Sequence, residues 1–215
     1  MSWDKEYEKN KQIWGGSPSE LAITVVNFFH AHPAYHNLYV LDVGCGYGRD
    51  SLYIAASLNC RVLGIDISPE AINLAVKALR EAGLTGIEFK LQDFREMTEP
   101  KFDVILISNL YHLLRQGERA ELRGTVKRVL KPGGHLFLNA ISVSDPEHNG
   151  KGFSILDEPN SWVDEKFIHL SLKDELTVDF DFLEIRELYK HAYIEERAGG
   201  RNHHHVSWML IGHKV

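Results

Sequence analysis

Apolar and polar positions along this chain follow two periods, and their order predicts the fold. Leu21, Val25, Phe28 and Phe29 recur at helical spacing after Ser17-Pro18-Ser19-Glu20. That opening reads as a cap (Ser17), a proline at the first helical position (Pro18) and a returning carboxylate (Glu20), and the helix must stop before Pro33. Short apolar runs then alternate with amphipathic ones. Strands are predicted over 38–43, 61–65 with Asp66 at the end, 87–91 and 102–107. Helices are predicted over about 49–58, from Ser68-Pro69 to about Ala82 with Gly83 ending it, and over about 118–130. The run Phe102–Ile107 (FDVILI) is apolar throughout, as a central parallel strand covered on both faces requires. Lys131-Pro132-Gly133-Gly134 turns the chain into a strand over 135–141, a structural role. Two longer strand-like stretches, about 182–194 and 204–212, are joined by Arg197-Ala198-Gly199-Gly200-Arg201 and read as an antiparallel hairpin. The expected fold is α/β, a doubly wound, mostly parallel seven-stranded sheet closed by that C-terminal hairpin.

Composition narrows the classes. Of 215 residues, 44% are hydrophobic and 25% charged, enough for one domain over 1–215 with its own core. Cys45 and Cys60 are too few for a disulfide framework. No apolar run approaches the ~20 residues that span a bilayer, and Met1–Asn10 is polar, so a cytoplasmic location with no membrane partner is expected. With a net charge of -6 and no dense Lys/Arg stripe, a nucleic-acid partner is disfavoured and a small molecule is the default.

The chemistry-bearing segment is Val40–Ala55, VLDVGCGYGRDSLYIA. Gly44, Gly46 and Gly48 allow a tight turn and close backbone approach to a ligand, and the following helix aims its first N–H groups there. A dinucleotide fingerprint needs a third glycine at position 49, where this chain has Arg49. The spacing is instead G-x-G-x-G after the acidic Asp42. With its flanking strand and helix, this resembles the first motif of class I S-adenosylmethionine-dependent methyltransferases, and the C-terminal hairpin matches their Rossmann-like fold. A nicotinamide-dependent oxidoreductase is the rival that Arg49 and the hairpin count against.

The resemblance implies S-adenosylmethionine as cofactor, S-adenosylhomocysteine as product, and a set of site residues. Asp66 would accept from both ribose hydroxyls and Asp93 from the adenine amino group, with Phe94 and Ile67 on the two faces of the ring. Gly44, Cys45, Gly46 and Gly48 would form the cradle. Asp42 and Asn109 would serve the methionine end, Asn109 through its backbone carbonyl. The segment from Ser108 to Leu113 lacks the Asn/Asp-Pro-Pro-Tyr signature of DNA amino-group methylases, and Tyr111 and His112 in it are acceptor candidates.

Methyl transfer from a sulfonium rests chiefly on orientation, so no catalytic residue is assigned. Residues 144–166 form a segment long enough to be an acceptor-side lid, and 1–36 an N-terminal cap segment and helix. Trp14-Gly15-Gly16-Ser17-Pro18 and Asn202-His203-His204-His205 resemble small-molecule methyltransferases of the tellurite-resistance and thiopurine-like groups, which adds Trp14, His203 and His205 as acceptor contacts. Strand alternation puts His204 opposite His203 and His205, so the three share no metal, and none is expected; a solvated strand entry is the plainer reading. The expected activity is methyl transfer to a thiol, a metalloid oxyanion or another small nucleophile. A non-catalytic cofactor-binding protein and an RNA or protein methyltransferase are the alternatives.

Overall fold

The computed structural model describes residues 3–98, 101–196 and 202–215. The chain begins with α1 (Trp3–Lys9) and α2 (Glu20–Ala31), then β1 (Leu38–Val43), α3 (Arg49–Ser57), β2 (Cys60–Asp66) and α4 (Pro69–Ala82). It continues through β3 (Ile87–Leu91), β4 (Phe102–Ile107), α5 (Gln116–Val129) and β5 (Leu130–Ile141). Three short strands follow, β6 (Phe153–Ser154), β7 (Ser161–Val163) and β8 (Phe167–His169), then α6 (Lys173–Asp179), β9 (Glu184–Glu196) and β10 (Asn202–His213).

Among the described residues the main sheet has seven strands in the order β3-β2-β1-β4-β5-β10-β9. The first five run parallel, and β10 pairs antiparallel with both β5 and β9. This is the expected doubly wound sheet with its closing hairpin; the expected loop, 197–201, lies outside the described residues. Alternation along the strands feeds two cores. Leu41, Ile105 and Leu138 face α5 and Phe180, whereas Val40, Val104 and Phe137 face α2 and Ile54 of α3. Each such fully buried side chain contributes roughly 1.5–3 kcal/mol, which holds the strand ends rigidly under the site.

Local signals explain most element ends. Ser68 caps α4 by accepting from Ala71 N at 3.1 Å, Pro69 stands in its first turn, and Gly83 closes it at φ 63°. The cap of α2 corrects the sequence reading: it is Ser19 and not Ser17, its hydroxyl accepting from Ala22 N. Asp50 selects it by accepting from Ser19 N at 2.7 Å and Ser19 Oγ at 2.6 Å. The Lys131–Gly134 turn loops out of an otherwise paired strand, since Leu130 still pairs with Phe102 and His135 with Val104.

Candidate cofactor and acceptor site

Two cavities open where the parallel strands end. The first is built on the glycine turn between β1 and α3. Gly44, Gly46 and Gly48 all have positive φ, 72°, 53° and 82°. Gly44 N and Cys45 N donate to Ile65 O, and Gly46 N donates to Asp66 Oδ2 at 2.9 Å, while Ser68 N donates to Asp66 Oδ1 at 2.9 Å. The loop and the end of β2 are therefore one hydrogen-bonded unit, with the Asp66 carboxylate fixed at the cavity wall. Burial still pushes its pKa above the usual carboxylate value. Asp42, beneath the turn, accepts from Ser51 Oγ at 2.6 Å. Burial first, then the neighbouring Asp50 carboxylate, raises its pKa to about 7.

Every cofactor residue expected from the sequence lines this cavity except Gly48. Gly48 is a correction: a Cβ there would lie 2.7 Å from Phe89 and 3.0 Å from Ala75, so its glycine serves packing under the turn. Asp93 does line the cavity, but both its oxygens accept from the Arg95 side chain at 2.6–3.0 Å, and that guanidinium holds its pKa low. Ile67 is exposed and Phe94 buried along the same wall.

The sequence reading expected a cap over 1–36 with Trp14 in it, but not the residues that build it with Trp14. Trp3 and Tyr7 of α1 join Trp14 and Tyr47 in an aromatic cluster, with the Trp14 and Tyr47 rings stacked at 15° and 6.5 Å. Tyr47 Oη donates to Gly15 O at 2.7 Å, and Arg49 donates to the carbonyls of Trp14 and Ser17. Arg49 thus ties residues 14–17 to the start of α3. No local pattern in a seven-residue helix signals this, because the hydrogen bonds that anchor the cluster join positions 32 to 35 residues apart.

The second cavity, about 580 Å³, lies beside the first and shares Trp3, Trp14, Asn109 and Leu113 with it. Its volume is that of a small-molecule site. Asn109 follows β4 at φ 53°, a left-handed conformation that Asn tolerates. A reciprocal amide pair holds it: Asn109 N donates to Asn139 Oδ1 at 2.7 Å and Asn139 Nδ2 to Asn109 Oδ1 at 2.9 Å. His112, His203 and His205 line this cavity along with Trp14. Tyr111 does not, which corrects that expectation: it is fully buried in the core, with its hydroxyl bonded to Asp179 at 2.5 Å and Arg123 at 3.0 Å.

The segment 144–166 is no bare loop. It leaves β5 through a turn around Asp145 and contributes β6 and β7 of a small sheet that β8 completes. Lys166 reaches α1, 3.0 Å from Glu6 and 4.6 Å from the centre of the Trp3 ring. His205 is also no solvated strand entry, being 2% exposed with Nδ1 at 3.1 Å from Asp145. No described helix is long and apolar enough to cross a membrane.

A family model described as a methyltransferase domain matches residues 40–134, the half of the sheet that carries the glycine turn. An uncharacterized methyltransferase of Schizosaccharomyces pombe is 30% identical over 105 residues, covering 48% of this chain and 71% of its own. The chain belongs to the class I S-adenosylmethionine-dependent methyltransferases. A solved SAM-dependent methyltransferase from Methanosarcina mazei superposes on it with TM-score 0.73 and 26% identity, covering 86% of this chain and 97% of that one. The 2-heptyl-1-hydroxyquinolin-4(1H)-one methyltransferase of Mycobacteroides abscessus is 34% identical over 101 residues, 46% of this chain and 44% of the relative. The chain spans about half the length, or less, of several curated methyltransferases that it matches. The first cavity fits this family's methyl donor in its donor set: carboxylates at Asp42 and Asp66, apolar Ile67 and Phe94, and a turn without Cβ atoms at Gly44 and Gly46.

Proposed function

We propose that this chain methylates a small molecule, binding S-adenosylmethionine in the first cavity and the acceptor in the second. The observation that carries the proposal is the shared wall: Trp3, Trp14, Asn109 and Leu113 border both spaces, so a methyl group presented from one meets a nucleophile held in the other. When bound, the cofactor supplies a methyl group on a sulfonium, whose C–S bond breaks toward sulfur as the acceptor's lone pair bonds to carbon. The residues provide orientation, the main source of rate for such a displacement. In this reading Asp66 takes the ribose hydroxyls, while Ile67 and Phe94 sandwich adenine. Asp93 shares its carboxylate between Arg95 and the adenine amino group. Asp42 and Asn109 serve the methionine end. The N-terminal segment and residues 144–166 act as cap and lid, excluding water, and Trp14, His112, His203 and His205 face the acceptor.

Calorimetry with S-adenosylhomocysteine tests the first half: saturable binding is expected, and none with NAD. Turnover against thiols, metalloid oxyanions and hydroxylated heteroaromatics tests the second. Binding of the product without turnover of any small acceptor, but with methylation of protein or RNA, would overturn the acceptor class.

A further inference from the structure

We propose a divalent metal site at the wall of the acceptor cavity, held by Asp145, His148 and His205. It deepens the acceptor reading above, and rests on that reading only for its role in methyl transfer. The three residues come from two places in the chain, brought together by the turn after β5 and by β10. One potential ligand atom from each lies within 4.8 Å of the others, the one such His/Cys/Asp/Glu grouping among the described residues.

The turn is built around the carboxylate. Asp145 Oδ1 accepts from the backbone N–H groups of Glu147 and His148, both at 3.0 Å, so Asp145 itself positions the residue that carries the first imidazole. Oδ2 accepts from Val206 N at 2.8 Å and faces His205 Nδ1 at 3.1 Å. A tetrahedral ion with bonds of ~2.0–2.1 Å has neighbouring ligand atoms about 3.3 Å apart, so the carboxylate and this imidazole already stand near one edge of such a polyhedron. The His148 ring stacks on the His205 ring at 5.4 Å and 13°, and one of its nitrogens lies within 4.8 Å of the other two potential ligand atoms. Glu195 Oε2 lies 3.6 Å from His205 Nε2, which leaves Nδ1 as the imidazole atom turned toward Asp145.

Two imidazoles and one carboxylate select the metal class. Magnesium and calcium take oxygen ligands, whereas nitrogen-rich sets suit zinc and its first-row neighbours. Asp145 and His205 are almost completely buried, while His148 is half-buried and, with His205, lines the cavity. The position the protein leaves open therefore faces the acceptor. A hydroxyl or thiol coordinated there loses its proton to solvent at lower pH than when free, becoming the nucleophile for the displacement.

The test uses the whole chain, stripped with a chelator and titrated with cobalt(II), read by its visible absorption, and with zinc(II), read by calorimetry. One equivalent of each should bind, with intense cobalt bands of low coordination number. His148→Ala should weaken binding roughly tenfold or more, as loss of a ligand does, and His205→Gln more still. His36→Ala, on a remote exposed histidine, should leave it unchanged. If His205→Gln fails to fold, His148→Ala decides, since that residue sits on a half-buried turn. Absence of saturable binding, or affinity within about twofold in His148→Ala, overturns the site. Calorimetry with S-adenosylhomocysteine on the same samples separates the two claims: product binding without metal removes only the site, and metal binding without product removes only the methyltransferase reading.

Discussion

Asp66 and Asp42 show how single residues couple the fold to the proposed cofactor site. Asp66 is held by two backbone N–H groups, one from the glycine turn and one from the start of α4, so its oxygens are aimed before any ligand arrives. Asp66→Ala should weaken S-adenosylhomocysteine binding by ~1.5–3 kcal/mol, the scale of a lost charge-assisted hydrogen bond. Unchanged affinity by calorimetry would remove the ribose assignment. Asp42 gives a pH signature. Its folded pKa, about 7, lies above that of an unfolded Asp, so the folded state favours the protonated carboxyl. The stability it contributes is present at low pH and is lost as pH rises through about 7. An ammonium group placed beside it reverses that preference. Cofactor binding near pH 6.5 should then release a proton, seen as a dependence of the calorimetric enthalpy on buffer ionisation. The release should vanish above pH 8 and in Asp42→Asn, and its persistence in that variant would sink the assignment.

At the scale of elements, the α4 cap joins two helices through one hydroxyl. Ser68 Oγ accepts from Ala71 N and donates to the Asp4 carboxylate of α1. Ser68→Ala should cost about 1 kcal/mol in chemical denaturation, the usual loss for a cap, plus any tethering of α1. A loss well under half of that would mean solvent replaces both bonds. This helix was legible because its signals are local: Ser68-Pro69 at one end, Gly83 at the other. The parallel strands were legible for the same reason, each apolar run being short and bounded. What stayed hidden depends on distant partners. Ser17 looked like the α2 cap until Asp50 of α3 bound Ser19 instead. Helix α1 and strands β6 to β8 are too short to show a period; α1 docks through buried Tyr7, and exposed β6 is held by pairing with β7. In the site, the glycine turn and Asp66 were readable from spacing, whereas the meeting of Asp145 with His205 across 60 positions was not.

For the whole molecule, the consequence is a pocket whose floor and roof have different origins. The floor is the carboxyl end of β1 and β2, strands whose central residues are buried. The roof is α1 and residues 144–166, clasped by Lys166 to Glu6 and to the Trp3 ring. Both partners of that ion pair keep about a quarter of their side chains in solvent, so it contributes on the order of 0.2–1 kcal/mol, with a comparable amount from the cation–π contact. Under the proposed cap-and-lid reading, a clasp of this strength would open readily, and because Trp3 and Trp14 border both cavities, opening it would expose both together. Lys166→Ala should therefore leave global stability within about 1 kcal/mol while S-adenosylhomocysteine leaves several-fold faster, the kinetic equivalent of ~1 kcal/mol. Stopped-flow quenching of the Trp3–Trp14 fluorescence on binding measures the off-rate. An unchanged off-rate with an unchanged melting curve would mean that the aromatic packing of Trp3, Tyr7, Trp14 and Tyr47 holds the roof by itself, with the lysine a spectator.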